Sequence, residues 1–136
     1  METATLPRPL VNRLLATAQA DPEREVCGLV GAKDGVPATF YPVANVAENP
    51  GHLFRMDPKG QIDAMRAMRE AGESLFAIFH SHPHGPARPS AIDLAEAAYP
   101  EALYLIASLG TTGVLELAGY RLLEGEAAPV ELLVSG

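Results

Sequence analysis

His80, His82 and Asp93 lie in one short stretch, FHSHPHGPARPSAID, residues 79–93. All three are residue types that ligate metals. If a strand ends at the histidines, side-chain alternation sends both imidazoles to one face, with Cα atoms about 6.6 Å apart. That separation lets two ring nitrogens meet one zinc ion at about 2.0–2.1 Å each. Asp93 would add a carboxylate from the helix that follows, after Pro83, Pro86 and Pro89 stiffen the return path. Two imidazoles and one carboxylate leave a fourth position for water, which is a catalytic zinc set. A structural site more often uses four protein ligands and favours cysteine, and this chain has one cysteine. The expected cofactor is one Zn2+ ion with a bound water, held by His80, His82 and Asp93.

A hydrolytic zinc site needs a general base for its water. Glu25 directly precedes the apolar run Val26 to Gly31, on the same face as Cys27 and Leu29. No other carboxylate lies beside an obvious core strand. Gly28 and Gly31 would let this strand pack close to the metal strand.

Each residue also has a plainer reading. A His-x-His pair alone is weak evidence for a metal. Ser90-x-x-Asp93 fits a helix capping box, in which serine caps the first turn and the acid reaches back. A carboxylate bound to zinc cannot freely cap, so the two readings compete. Glu25 is also what a solvated strand end looks like, and Cys27 reads as a small buried apolar residue. His84 breaks the strand alternation and His52 lies far upstream, so neither is expected to be a ligand; His52 reads as a surface or cleft histidine.

The elements that must position these groups follow from periodicity. Pro9 suits a first helical turn, and Val11, Leu14, Leu15 and Ala18 make an apolar stripe ended by Asp21-Pro22. Val26–Gly31 reads as a buried strand closed by Asp34-Gly35. Val36–Val46 and His52–Met56 continue as strands broken by Asn49-Pro50-Gly51. Asp57-Pro58 opens a helix with Ile62, Met65 and Met68 as its core face and Gly72 as its close. Leu75–Phe79 is almost wholly apolar, as a central strand covered on both faces should be. A short helix spans Ser90 to about Ala98, and Leu103–Leu109, Val114–Leu122 and Val130–Val134 read as closing strands. The fold class is α/β (α+β), a mixed central β-sheet between helices.

With 136 residues and no repeat or linker, the whole chain, 1–136, reads as one domain. Ten basic against seventeen acidic residues give a net charge of −7, which disfavours nucleic acid as a partner. No segment approaches the roughly 20 apolar residues needed to cross a bilayer. Ala18-Gln19-Ala20 looks like a signal-cleavage site, but Asn12 and Arg13 interrupt the required apolar region. A single cysteine fits a reducing compartment, so the expected location is cytoplasmic.

Glu25-Val26-Cys27-Gly28-Leu29, then His80-Ser81-His82-Pro83, six residues, and Ser90-Ala91-Ile92-Asp93 together resemble the JAMM (MPN+, Mov34/Pad1) zinc metallopeptidases. The resemblance extends over nearly the whole chain and looks closest to the small prokaryotic, Mec-like members. It implies the JAMM/MPN fold, similar to the deaminase-like three-layer architecture. It also implies His80, His82 and Asp93 as zinc ligands, Glu25 as acid/base and Ser90 as the oxyanion donor. Family members cleave the amide or isopeptide bond after the C-terminal Gly-Gly of ubiquitin-like proteins. The short metal loop leaves little room for the insertions of eukaryotic deubiquitinases. The implied partner is therefore a ubiquitin-fold sulfur carrier, from which cysteine would be released; homodimerisation stays open.

Two other readings compete. A non-catalytic MPN scaffold would typically have lost the metal residues, all of which are present here. A RadC-like protein has a related motif but carries a helix-hairpin-helix extension that this acidic chain lacks. A deaminase needs His-x-Glu and Pro-Cys-x-x-Cys, and one cysteine rules that pattern out.

Overall fold

Side-chain parity along the central strand sorts the molecule into two cores. In the computed structural model, which describes residues 1–110 and 115–136, that strand is β4 (Ser74–His82). Ala77 and Phe79 point to one face, where Leu10, Leu14 and Ala18 of helix α1 (Arg8–Ala20) cover them. Ile78 points to the other, beneath Ala64 and Met68 of helix α2 (Pro58–Glu70). His80 and His82 share the parity of Ile78. The two imidazoles therefore open on the α2 side, where the strand runs out from under the helix.

Around β4 stand β1 (Thr3–Pro7), β2 (Cys27–Lys33), β3 (Val36–Val43), β5 (Leu103–Ser108), β6 (Glu116–Leu123) and β7 (Glu126–Ser135). The described strands form one mixed sheet in the order β1-β7-β6-β5-β4-β2-β3. β4 pairs antiparallel with β2 and parallel with β5. A parallel neighbour requires a crossover. Here the crossover carries the proline-rich loop and helix α3 (Ala91–Glu96) across the end of β4. The topology that completes the sheet thus also brings Asp93 over the histidines. With α1 on one face and α2 on the other, the sheet lies between helical layers, as expected of the JAMM/MPN architecture.

Several expectations need correction. His52–Met56 is not a strand; Met56 makes only an isolated bridge to Asn45. The polar groups of that segment are shared between turn and bridge backbone bonds and the Asn45 side chain. Asn45 accepts from Arg55 N–H and donates to the Leu53 carbonyl, so no ladder is needed. Ile62 is 60% exposed rather than core. Ala64 and Met68 set the inward line of α2, and two residues of helix turn Ile62 about 200° from Ala64. Strand β1 is an addition to the expected elements: its pairing with β7 (Thr3↔Glu131) is non-local, and TATLP offers one large apolar side chain, Leu6. β3 ends at Val43 rather than Val46, and β7 starts at Glu126, earlier than Val130. The predicted start of the next-to-last strand, Val114, lies outside the described residues; β6 is seen from Glu116.

Candidate metal centre

The alternation that sends His80 and His82 to one face brings their Nε2 atoms to 3.1 Å from each other. Asp93 Oδ2 lies 3.1 Å from each of them. The three donors therefore mark a triangle of equal sides. Ligands at about 2.0–2.1 Å around a tetrahedral ion stand about 3.3–3.4 Å apart, so the triangle has the size a zinc-like cation requires. All three residues are buried.

The donor chemistry agrees. His82 Nδ1 lies 2.8 Å from the Pro86 carbonyl, which can only accept. Nδ1 must carry the proton, and Nε2 presents its lone pair to the triangle. Among the described residues His80 has no such anchor, and its Nδ1 is buried without a partner. Its ring is instead held by Phe54, stacked at 4.5 Å and 26°. Two imidazole nitrogens and a carboxylate oxygen converging this closely repel unless a cation or protons stand among them.

Asp93 performs both tasks that the sequence sets against each other. Its Oδ2 accepts from Ser90 N–H at 2.9 Å, and Ser90 Oγ accepts from Asp93 N–H at 3.0 Å, a complete capping box. The same oxygen faces the histidines, so the cap holds this donor in place rather than drawing it away. Burial raises the Asp93 pKa, but the imidazoles of His80 and His82 and the Ser90 N–H outweigh it and hold the carboxyl far below its ordinary range. Burial pulls the His80 pKa down against the pull of Asp93. Burial also lowers that of His82, yet Asp93 and the Pro86 carbonyl leave it above its usual value.

Glu25 completes the group: with His80, His82 and Asp93 it offers donor atoms all within 4.8 Å of one another. It is 5% exposed, and its Oε1 has no partner among the described residues. Burial pushes its pKa up to about 7, with the charge of His82 opposing and that of Asp93 adding. A solvated strand end would not be so placed. Cys27 is buried against the Val43 carbonyl, and burial pushes its thiol up to about 12; it is not one of the clustered donors. His84 and His52 are exposed and stand outside the cluster; both line the cleft beside it.

Two positioning residues escaped the sequence reading. Asn45 donates to the Glu25 carbonyl at 2.9 Å, while Glu25 N–H donates to Pro50 O at 2.7 Å. Ser81, between the two histidines, is fully buried; its Oγ accepts from Val26 N–H at 2.9 Å and ties the metal strand to the Glu25 strand. Ser81 could have been suspected, because a polar residue of opposite parity on a central strand needs a buried partner. Nothing in the sequence singles out Asn45.

Residues 7–118 match the family described as prokaryotic homologs of the JAB domain. The chain belongs to this family. Among prokaryotic JAB relatives, the desampylase of Haloferax volcanii is 39% identical over 93 residues, covering 67% of each chain. The CysO-cysteine peptidase of Mycobacterium tuberculosis is 34% identical over 118 residues, 85% of this chain and 80% of the relative. A solution structure of a protein from Desulfitobacterium hafniense superposes with a TM-score of 0.83 at 36% identity, over 96% of this chain and 92% of that one.

Proposed function

We propose that this prokaryotic JAB protein is a zinc-dependent hydrolase that cuts the amide or isopeptide bond after the C-terminal Gly-Gly of a ubiquitin-like or sulfur-carrier protein. Release of cysteine from a carrier–cysteine adduct is the reaction favoured. The observation that carries this reading is the convergence of His80, His82 and Asp93 at 3.1 Å spacings with Glu25 beside them. Relatives named as a desampylase and a CysO-cysteine peptidase support the substrate class.

His80, His82 and Asp93 would hold the ion. A bound zinc ion supplies a water whose pKa falls from 15.7 to about 7. Glu25, whose buried carboxyl is pushed up to about 7, would hold a proton and return it to the departing amine as the C–N bond breaks. Ser90 uses an oxygen lone pair for the helix cap, which leaves its hydroxyl proton free for the carbonyl oxygen as that oxygen gains charge. Beside His80 and Asp93 runs a groove of about 220 Å³ lined by Phe54, Met56, Ala97 and Tyr104. Narrow and largely apolar, it suits a flexible Gly-Gly tail, because nothing beyond glycine needs room near the metal.

We take residues 1–136 as one catalytic unit working in the cytoplasm. Among the described residues no helix is long and apolar enough to cross a membrane. Incubation with a carrier–cysteine adduct, followed by mass, should show free carrier in the presence of zinc and none after chelation. Zinc-loaded protein that releases nothing would refute the substrate. Protein that binds no divalent metal would refute the mechanism as well.

A further inference from the structure

Two of the clefts beside the metal centre differ in lining. The groove along Phe54 and Tyr104 is largely apolar. The other, about 480 Å³, is lined by Glu25, His82 and Ser90 together with His52, His84 and Arg88. Each cleft holds a permanent cation, but Arg55 of the apolar groove faces Glu96 at 4.0 Å. His84 already has an acid, Glu23, at 3.7 Å. Arg88 has none: among the described residues no carboxylate lies within ion-pair distance of its guanidinium.

The backbone beneath Arg88 is nonetheless firmly placed. Its N–H donates to the Pro86 carbonyl at 2.8 Å. The preceding Ala87 is buried, and its carbonyl accepts from the Tyr120 hydroxyl at 2.8 Å. The stem of Arg88 therefore starts from a fixed point two residues before Ser90, and its charged end is exposed.

Which half of the substrate enters this cleft follows from the proton. Glu25 must reach the departing nitrogen, and Glu25 lines the cleft that Arg88 lines. We infer that Arg88 reads the α-carboxylate of an amino-acid leaving group, making the enzyme selective for carriers that bear a single amino acid over carriers joined to a lysine side chain. In an amino-acid adduct the carboxylate carbon lies only about 2.5 Å from the scissile nitrogen, so the anion is held close to the cut. In a lysine conjugate four methylenes follow that nitrogen, with no charge nearby. A guanidinium fork matches a carboxylate in two hydrogen bonds, which a carboxamide cannot reproduce.

This assignment rests on the hydrolase reading, and the test separates the two. Zinc-loaded full-length protein is given the same carrier bearing cysteine at its terminal glycine, once as the free acid and once as the carboxamide. The wild type should favour the acid in kcat/KM by on the order of tenfold, the scale of a charged hydrogen-bonded contact at an exposed site. Arg88→Ala should bring that ratio close to one, and Arg88→Lys should restore part of it. Because the ratio is taken within one protein, a loss of folded enzyme does not move it. Calorimetric binding of both adducts to metal-free protein should show the same order without turnover. Equal handling of the two adducts by the wild type, or an unchanged ratio in Arg88→Ala, overturns the assignment and leaves the hydrolase intact. If zinc-loaded wild type cleaves neither adduct, both fall together.

Discussion

His80 sits on a strand paired on both sides, with Cys27 across one edge and Ile106 across the other. Glu25 lies two residues before its strand begins and is held by the Asn45 side chain and the Pro50 carbonyl. The proposed ligands thus take their positions from sheet register and a helix cap, the proposed acid from an irregular loop knotted by one asparagine. Register cannot slip by one residue without turning every side chain to the wrong face. A loop can relax by smaller steps. Metal binding and proton transfer should therefore be separable by mutation, the first lost only through the regular elements and the second through either part.

The largest break in that contrast is His82→Ala. Removing one of three donors should empty the site and take turnover to background, measured as bound zinc per chain and release of carrier. Glu25→Gln comes next: bound zinc should match the wild type while turnover drops by about 10²–10⁴, the usual contribution of a positioned acid/base. Near-normal hydrolysis in that variant would remove Glu25 from the chemistry. Ser90→Ala touches both parts. Loss of the oxyanion donor should cost about 10²–10³ in kcat, and loss of the cap about 1 kcal/mol in unfolding free energy. Glycine at the same position would retain more of the cap and none of the donor.

Asn45→Ala sharpens the comparison most directly. Its amide group meets the carbonyls of Glu25 and Leu53 and the N–H groups of Ala47 and Arg55. Leaving these part-buried groups unmatched should cost about 1 kcal/mol in unfolding free energy. Turnover should fall by less than in Glu25→Gln, with zinc stoichiometry intact. If zinc were lost instead, the loop would serve the ligands too, and the division would fail.

The same division decides what could be read without a structure. His-x-His on a strand end is visible because period-two alternation alone puts both rings on one face, and the Ser90-x-x-Asp93 spacing is a local rule of helix starts. The layered sheet followed from the apolar runs at Val26–Gly31 and Leu75–Phe79. His52–Met56 has strand-like residues, but turn bonds to the Asn49 carbonyl and the Asn45 side chain shape the segment, and periodicity registers neither. Ile62 was assigned to the core because it is apolar and three residues before Met65, whereas α2 turns Ala64 inward, a small residue that hydrophobicity ranks lower. The pairing of β1 with β7 joins segments separated by nearly the whole chain, and no local pattern encodes it.

The smallest expected effect concerns acid and base in the metal-free protein. Burial raises the Glu25 pKa from 4.5 to about 7, with His82 lowering and Asp93 raising it further. The folded chain therefore holds this proton more tightly than the unfolded chain does. Its contribution to stability is fully present below pH 4.5, declines as pH rises towards about 7, and is constant above that. Asp93 works in the opposite sense: its carboxyl is held low, so its contribution is lost only as pH falls below the ordinary carboxylate range. Glutamine at position 25 carries no such proton. In chelator, the Tm of the wild type minus that of Glu25→Gln should therefore fall by a few degrees between about pH 4.5 and 7 and then level off. A difference that stays flat across that window would mean that water reaches Glu25 freely and that the loop does not bury it, leaving the acid with an ordinary pKa and no reason to act near neutrality.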